Sequence, residues 1–252
     1  TQGSWKIDHS NSQLLSVASM DEDPEVIELI KEYEDKTQGW LDQPMGKLLG
    51  DMTIEDPFET RLKDNALVEF INKVQMDIAG VEISNTALFN NISKGFPESI
   101  TMRDVVSNYI YPNTLKVIRI TGEDMKAALE RCASYFEKVD GDITVNEAFT
   151  TPKPQHYNYD MWEGIEYILD ISKPIGQRVT HLTHKGKPID PNAEYDVVMN
   201  NYRAGGGGEY TMFKNKSVVK DIPLDMSEVI ANYILSKGTI EATVNNNWKV
   251  IW

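Results

Sequence analysis

Cysteine is almost absent from this chain of 252 residues, since Cys132 is the only one. A single thiol cannot form an internal disulfide, and its place in the helical pattern "GEDMKAALERCASYFEKV" predicts a core thiol. Long apolar runs are also absent, because no stretch reaches the roughly 18 to 20 residues that a membrane span requires. The first residues, "TQGSWKIDHS", lack the basic and apolar profile of a signal peptide. We therefore expect no disulfide and no membrane insertion.

Basic residues are outnumbered, with 25 Lys and Arg against 39 Asp and Glu, which gives a formal net charge of −14. Such an acidic surface repels the phosphate backbone of nucleic acids and anionic lipid. We therefore expect no nucleic-acid polymer as a partner. Solubility alone is the simpler explanation of the charge. The hydrophobic content of 40% is ordinary for a globular protein and argues against disorder.

Histidine is scarce as well, with four residues at positions 9, 156, 181 and 184. A two-metal hydrolase centre needs several His and Asp ligands close together, so these histidines are too few and too scattered. His181 and His184 form a His-x-x-His pair, but on a strand this spacing directs the rings to opposite faces, which favours exposed turn residues over a zinc pair. Gly-x-Ser-x-Gly, Cys-x-x-Cys and His-Glu-x-x-His motifs do not occur. We predict no catalytic residue and no metal site in this chain.

Helical and strand periodicities alternate irregularly along the sequence. An acidic cap and a proline open a helix predicted from about Pro24 to Trp40, and Gly80 ends a second one. Strand patterns occur in "GSWKIDHS", "MGKLLGDMTI", "VEISNTALFN", "NTLKVIRITG", "IEYILDIS", "VTHLTHKGKPI", "EYDVVMNNY" and "NWKVIW". The segment "TVNEAFTTPKPQHYNYDMWEG" is polar and aromatic and is predicted to be a long loop. Because regular βαβ alternation is missing, the sequence predicts an α+β fold with a mixed sheet and packed helices.

Four consecutive glycines stand in "NNYRAGGGGEY", residues 200–210. The run is not a P-loop, because Glu209 and Tyr210 follow it where that motif needs Lys and Ser or Thr. It also fits the dinucleotide fingerprint poorly, since "TMFKNKSV" shows no helical period. A surface turn is one interpretation. A loop that lies flat against a ligand is the other, and the flanking tyrosines favour it.

Two aromatic clusters adjoin polar or flexible segments, "NYIYPNTL" around Tyr111 and "GGGGEY" around Tyr210. Two rings that face each other across a cleft could hold a flat heterocycle, with each face contributing on the order of 1 kcal/mol or more. The alternative is that these aromatics belong to the core, which is as plausible for Tyr109 as a ligand role. The sequence thus predicts a binding site and not a catalytic one.

Several blocks of sequence occur together in this chain, among them "DPFETRLKDNALVEFINKVQ", "TALFN", "YPNTL", "YNYDMWEGIEYILDIS" and "MNNYRAGGGG". Together they resemble the C-terminal domain of the 5′-nucleotidase superfamily. Within that superfamily they are most similar to the bifunctional 2′,3′-cyclic-nucleotide 2′-phosphodiesterases/3′-nucleotidases. The resemblance covers nearly the whole chain and implies the substrate-binding part of a phosphoesterase of nucleotide catabolism.

The resemblance also implies a division of the chain. Residues 1–20 look like the tail of an N-terminal metallophosphatase domain, residues 21–45 like a connecting helix, and residues 46–252 like the C-terminal substrate-binding domain. In the family, two divalent metals such as manganese or zinc lie on the N-terminal domain, and its Asp-x-His and Asn-His-Asp/Glu signatures do not occur here. We therefore expect that this chain binds no cofactor, that its partner is its own metallophosphatase domain, and that this chain alone is inactive. An extracellular, cell-wall-associated or periplasmic location is implied, with the signal peptide on the N-terminal part.

The family's base clamp can be placed on this sequence residue by residue. One aromatic matches Tyr111, and the second, just after the glycine loop, matches Tyr210, with Tyr202 as the alternative. Gly206 and Gly207 are expected to lie beside the nucleoside.

Four polar residues complete the implied site. The family's arginine ahead of the first long helix matches Arg61, and a polar residue after the buried strand matches Asn90 or Asn91. Relatives that cleave 5′-nucleotides carry Gly-Gly-x-Arg after that position, whereas this chain has "NISKG". This departure leaves Lys94 as a possible substitute for the arginine.

Three functions remain open at this point. The chain could be the substrate-binding portion of a secreted phosphoesterase that takes adenosine-type nucleosides or nucleotides, a free-standing nucleoside-binding module without catalysis, or a structural domain with incidental aromatics. Within the first, specificity of the 5′-nucleotidase or UDP-sugar hydrolase type is an alternative to 3′-nucleotides and 2′,3′-cyclic nucleotides.

Overall fold

The computed structural model of the chain describes Gly3, Lys6 and residues 13–252. The chain divides into two units, Thr1–Trp40 and Leu41–Trp252. The strand predicted in "GSWKIDHS" lies almost entirely outside the described residues. None of the helices in the described part is long and apolar enough to cross a membrane.

The first unit carries most of α1 (Pro24–Leu41), which confirms the predicted helix. The Asp23 carboxylate accepts a hydrogen bond from the Glu25 amide at 2.9 Å, as an N-terminal cap does. Along the helix, Lys31 forms an i,i+4 ion pair with Asp35. None of its residues is buried.

The second unit contains the remaining helices and all the strands of the described chain. The helices are α2 (Ala66–Ala79), α3 (Met102–Asn108), α4 (Gly122–Ala133), α5 (Asn201–Ala204) and α6 (Met226–Lys237). The strands are β1 (Pro44–Leu49), β2 (Ile83–Ala87), β3 (Ser99–Thr101), β4 (Leu115–Thr121), β5 (Phe136–Val139), β6 (Asp142–Val145), β7 (Asp160–Glu163), β8 (Glu166–Asp170), β9 (Val179–His184), β10 (Lys187–Pro188), β11 (Glu194–Asn200), β12 (Ser217–Ile222), β13 (Thr239–Glu241) and β14 (Trp248–Ile251).

Helix ends in this unit follow from local sequence. Thr101 and Asp104 form a reciprocal capping box at the start of α3, and Thr121 and Asp124 form another at the start of α4. Gly80 ends α2 in the left-handed conformation with φ +72°, which a residue with a Cβ adopts only under strain. The end at Gly80 agrees with the boundary predicted from the sequence.

The strands form three mixed sheets and a hairpin, which confirms the α+β prediction. The five-stranded sheet has the order β12-β4-β11-β2-β7, the four-stranded one β10-β9-β8-β14, and the three-stranded one β13-β1-β3. In the largest sheet β11 runs parallel to β2 and antiparallel to β4. Its central strands are buried on both sides, with Val197, Val198 and Met199 fully inside the core.

Strand β7 and the end of β6 lie within the long predicted loop, residues 144–164, whereas β5 lies at the end of the pattern predicted to be helical. The β5–β6 hairpin turns at Asp140 and Gly141, both at positive φ, and β7 forms an edge of the large sheet. Strand β12, which follows the glycine run, pairs with β4 through a bulge between Val218 and Lys220. The alternation of apolar residues in these segments is too short to distinguish them from loops by periodicity alone.

Candidate functional site

A cleft of about 380 Å³ opens where strands β2 and β11 end and strands β4 and β7 begin in the five-stranded sheet. Its lining consists of four aromatic and three polar residues, Phe89, Tyr111, Asn113, Lys153, Tyr157, Asn200 and Tyr202. Within the part of the chain that the structure describes, no carboxylate lines it. In a protein with a net charge of −14, such a lining sets this surface apart.

The strand directions explain why these residues meet. Tyr111 precedes β4 and Tyr202 follows β11, and because the two strands are antiparallel with Asn200 opposite Leu115, the two segments lie side by side. The Asn201 amide donates to the Thr114 carbonyl at 2.8 Å and fixes this approach. Phe89 follows β2 and Tyr157 precedes β7. Because β2 is parallel to β11 and antiparallel to β7, these two residues lie at the same ends of the strands as Tyr111 and Tyr202.

Tyr157 packs against two other tyrosine rings of the cleft lining. The centroid of Tyr157 lies 5.9 Å from that of Tyr111 and 6.5 Å from that of Tyr202, with both pairs edge to face. Tyr111 also contacts Phe89, at a centroid distance of 5.4 Å. Tyr111 is 37% exposed and Tyr202 47% exposed, so both of these rings offer surface to a ligand. Partial burial raises the pKa of Tyr111, which keeps its hydroxyl neutral.

Tyr210 does not line the cleft, which corrects its assignment as the second ring of the clamp. Its side chain is fully buried, its ring stacks on Phe213 at a centroid distance of 5.7 Å, and its hydroxyl donates to the Asn158 carbonyl at 3.0 Å. The same hydroxyl lies 3.0 Å from the sulfur of Cys132, the buried core thiol that the sequence predicts. Burial raises the pKa of both groups. The tyrosine next to the glycine run that lines the cleft is Tyr202, the alternative assignment for the second ring of the clamp.

The glycine run packs against protein side chains and does not line the cleft. A Cβ at Gly207 would lie 2.5 Å from two atoms of the Tyr202 ring, and one at Gly206 would lie 2.5 Å from the side chain of Lys214. Gly206 and Gly208 have φ values of +83° and +68°. The expectation that Gly206 and Gly207 lie beside the ligand is therefore corrected: the absence of a side chain at Gly207 gives the Tyr202 ring its place.

A buried ion pair between Arg203 and Asp160 connects segments that adjoin the cleft. Nε of Arg203 lies 2.6 Å from Oδ2 of Asp160, and both side chains are 1% exposed. Arg203 also donates to the carbonyl of Tyr157 at 2.9 Å and to that of Gly207. One guanidinium thus connects the glycine run, β7 and the turn that carries Tyr157. Burial raises the pKa of Asp160 against the opposing effect of Arg203.

Arg61 is buried and is not part of the cleft lining. It is 1% exposed and donates to the carbonyls of Pro57, Leu88 and Asn90 and, at 2.9 Å, to Oδ1 of Asn91. These bonds hold the segment after β2, which carries Phe89 into the cleft. The guanidinium is therefore not placed where it could contact a ligand in the cleft.

Asn91 and His156 continue this network. Because Arg61 can only donate, the atom of Asn91 that it contacts is Oδ1, so Nδ2 of Asn91 donates to Nε2 of His156 at 3.1 Å. The remaining proton of the neutral imidazole lies on Nδ1, which is 2.7 Å from the hydroxyl of Tyr135. Burial first, and then the charge of Arg61, lowers the pKa of His156. His156 directly precedes Tyr157, so the network positions the turn beneath the cleft.

Asn90 and Lys94 do not reach the cleft either. Oδ1 of Asn90 accepts the amides of Ile92 and Ser93, both at 2.9 Å, and thereby closes a turn. Lys94 is exposed, and its carbonyl accepts the amide of Ile54 at 3.1 Å. Of the predicted site residues, the structure places Tyr111 and Tyr202 together in the cleft.

Three buried carboxylates cluster elsewhere in the unit. One oxygen each of Asp64, Glu69 and Glu163 lies within 4.8 Å of the others. Burial is the first cause that raises the pKa of Asp64 to about 6 and that of Glu163 to about 8, and neighbouring carboxylates add to both shifts. Lys73 pairs with Glu69, and the Asn245 side chain donates to Glu163 at 2.8 Å. The cluster offers oxygen ligands without histidine and lies outside the cleft lining, so it does not match a histidine-rich two-metal hydrolase centre.

Sequence reasoning missed five of the residues that line the cleft. Phe89 lies in "TALFN", Lys153 and Tyr157 lie in the aromatic segment taken as a loop, and Asn113 and Asn200 flank β4 and β11. The run "HYNY" was the available signal for Tyr157. Asn200 could have been found as an Asn between a strand and a short helix, the position of an N-terminal cap.

Comparisons with known proteins identify the family of this chain. Residues 45–215 match the family described as "5'-nucleotidase, C-terminal domain". The 2′,3′-cyclic-nucleotide 2′-phosphodiesterase/3′-nucleotidase of Haemophilus influenzae is 30% identical over 269 residues, which cover 91% of this chain and 40% of that protein. A trifunctional nucleotide phosphoesterase of Bacillus subtilis is 26% identical over 98% of this chain and 19% of its own length.

Solved structures give the same result for the fold. A crystal structure described as a 5′-nucleotidase from Staphylococcus aureus superposes with a TM-score of 0.83 at 34% identity, covering 93% of this chain and 45% of that one. A 5′-nucleotidase precursor from Thermus thermophilus superposes with a TM-score of 0.71 at 24% identity. The chain thus spans less than half the length of each of these four relatives.

Proposed function

Because the chain belongs to the family of 5′-nucleotidase C-terminal domains, we propose that it is the nucleoside-binding part of a phosphoesterase that hydrolyses 2′,3′-cyclic nucleotides and 3′-nucleotides. The ligand is of the adenosine type, meaning a flat heterocycle on a ribose. The observation that carries the proposal is the open cleft between two exposed tyrosines, Tyr111 and Tyr202.

The geometry suits a base better than a sugar or a peptide. Tyr157 packs edge to face against both Tyr111 and Tyr202, so three aromatic rings adjoin the cleft. Stacking on the face of one such ring contributes about 1 to 3 kcal/mol per base and depends little on which base is bound. Among the described residues, no carboxylate that would repel a nucleotide phosphate lines the cleft.

Hydrolysis itself belongs, in this proposal, to a metallophosphatase domain outside this chain. Two divalent metals on that domain would supply the activated water and the charge stabilisation of the leaving group. The described residues of this chain do not fit such a centre, because the one cluster of three acidic groups is histidine-free and lies away from the cleft lining. The role of this chain is to bind the base and orient the nucleotide. An extracellular or periplasmic location is part of the same proposal.

Calorimetric titration with adenosine, 3′-AMP and 2′,3′-cyclic AMP tests the proposal. We expect binding in the high-micromolar range or weaker, a loss of about 1 to 3 kcal/mol in Tyr202→Ala and in Tyr111→Ala, and little loss in the Phe variants, because stacking needs the ring and not the hydroxyl. Tyr33→Ala is the matched control, since Tyr33 is an exposed tyrosine of α1 that is not part of the cleft lining.

Two results would contradict this function. Equal affinities for the parent and for the Tyr111 and Tyr202 variants would show that the cleft does not hold the base. Turnover of 3′-AMP by the highly purified chain with added manganese would show that hydrolysis does not require a separate domain.

A further inference from the structure

Asn200 is the most deeply buried polar residue of the cleft lining, at 4% exposure. It ends β11 and caps α5, where its Oδ1 accepts the amide of Arg203 at 2.8 Å. A backbone N–H can only donate, so this bond fixes the orientation of the side-chain amide. Oδ1 faces the helix, and Nδ2 is left as the group that Asn200 offers to the cleft.

Nδ2 of Asn200 has no hydrogen-bond partner among the described residues. Lys153, the one charged residue in the lining, is likewise a pure donor. The side chain of Asn113 interacts with the buried hydroxyl of Tyr109 and is therefore not free for a ligand. Asn200 and Lys153 therefore both offer donors to the cleft, which favours a ligand with an acceptor.

We propose that Asn200 determines base specificity by donating from Nδ2 to the group at C6 of the bound purine. This inference rests on the proposed function, in which the base stacks between Tyr111 and Tyr202. A carbonyl oxygen at that position accepts the bond, as in hypoxanthine or guanine. The amino group of adenine at the same position is itself a donor, so it would meet Nδ2 donor against donor and leave it unpaired. The cleft thus ranks 6-oxopurine nucleosides above adenosine.

Asn200→Asp is the sharpest test because it replaces the Nδ2 amino group by an oxygen and keeps the oxygen that caps α5. Asp is as good an N-terminal cap as Asn, so one carboxylate oxygen continues to accept the Arg203 amide. The other oxygen replaces the donor by an acceptor. Inosine and adenosine are the probes, since they share the ribose and differ only at C6, which carries a carbonyl or an amino group, and at N1, which is a donor in inosine and an acceptor in adenosine. The titrations are done at pH 8, where the new carboxyl group is charged.

The expected results are stated as affinity ratios. In the parent chain, inosine should bind about 5- to 10-fold more tightly than adenosine, the range for one hydrogen bond made or left unmade. Asn200→Asp should weaken inosine binding about tenfold or more and reverse the ranking. Asn200→Ser keeps a capping hydroxyl without Nδ2, and the two nucleosides should then bind within about twofold of each other.

Asn146→Asp is the matched control. Asn146 caps the 3-10 turn Glu147–Phe149 through the amide of Ala148, and it is not part of the cleft lining. It undergoes the same substitution and the same change of charge, so the parent ranking should persist. Circular dichroism of all variants confirms that they are folded, and Asn200→Ser decides the question if Asn200→Asp does not fold.

The outcomes separate the two proposals. If neither nucleoside binds the parent chain, the proposed function itself fails. If both bind and the ratio of their affinities is the same in the parent, Asn200→Asp and Asn200→Ser, the cleft holds a base but Asn200 does not read it. If the parent ranks adenosine first, the donor assignment is overturned.

Discussion

The guanidinium carbon of Arg203 lies 3.9 Å from the centroid of the Tyr210 ring and covers it. Phe213 stacks on the same ring, and the hydroxyl of Tyr210 donates to the Asn158 carbonyl, so Tyr210 is a core residue. The neighbouring Tyr202 stands in the cleft instead. The two tyrosines that enclose the glycine run thus have different roles, one stabilising the fold and the other available to a ligand.

Substitution of Tyr210 should therefore change stability and leave binding nearly unaltered. Tyr210→Phe removes a buried hydroxyl that donates to the Asn158 carbonyl, so we expect a loss of about 1 kcal/mol in the free energy of unfolding. Urea denaturation followed by circular dichroism measures it. Adenosine affinity should stay within about twofold of the parent, because the ring keeps its place. A marked loss of affinity in the folded variant would return Tyr210 to the binding site.

Gly207→Ala should weaken ligand binding through Tyr202. The added Cβ would lie 2.5 Å from the ring of Tyr202 and displace it from its position in the cleft. We expect adenosine to bind about 5- to 10-fold more weakly, close to the loss of one stacking face. Gly205→Ala is the control, because its nearest neighbour outside the adjacent residues is 3.5 Å away and its φ of −79° suits alanine. Equal affinities in the two variants would disconnect the glycine run from the site.

The sequence predicts the parts of this site that depend on residues close together along the chain, and not those that depend on distant residues. The segments around Tyr111 and Tyr202 were identified because aromatic residues, a proline and a glycine run are local signals. Which tyrosine faces the cleft depends on Arg203, whose ion pair with Asp160 spans 43 residues along the chain. No periodicity reports such a contact. The sequence thus predicts the binding loops and leaves the choice of side chain to the tertiary structure.

The fold shows the same division. Helices α2, α3 and α4 were predictable because each has its cap in the adjacent residues, at Asn65, Thr101 and Thr121. Strand β7 lies within a segment predicted to be a loop, because it is fully buried and only four residues long. Its place in the sheet follows from pairing with β2, more than 70 residues away in sequence. Short buried strands of this kind show no alternation that sequence reasoning could use.

The buried pair of Arg203 and Asp160 should be essential for stability. Arg203→Met leaves the carboxylate of Asp160 buried and unpaired, which typically costs about 3 to 5 kcal/mol. The double variant Arg203→Met with Asp160→Asn removes both charges and should recover part of the loss. Thermal unfolding of the two variants measures the difference. Arg119→Met is the control, since its pair with Asp196 is largely exposed and should contribute no more than about 1 kcal/mol.

The carboxylate cluster predicts that stability falls as the pH rises. The folded state raises the pKa of Asp64 to about 6 and that of Glu163 to about 8, from ordinary values of 3.8 and 4.5. Between the ordinary and the raised values the folded chain binds more protons than the unfolded one, so the free energy of unfolding decreases with increasing pH in that window.

Glu163→Gln should reduce this pH dependence. The glutamine is neutral at every pH, and its side-chain oxygen can still accept from Asn245, so the variant resembles the protonated parent. We expect it to be more stable than the parent at pH 8.5 by about 2 kcal/mol and similar to it at pH 5. Urea unfolding at the two pH values measures this, with the exposed Glu98→Gln as the control. Two results would contradict this prediction: a parent chain whose stability rises between pH 5 and pH 8.5, or a Glu163→Gln variant with the same pH dependence as the parent. Either would show that the three carboxylates stay charged in the folded chain. Lys73 and the backbone amides of Asn245 and Asn246 would then compensate their charges.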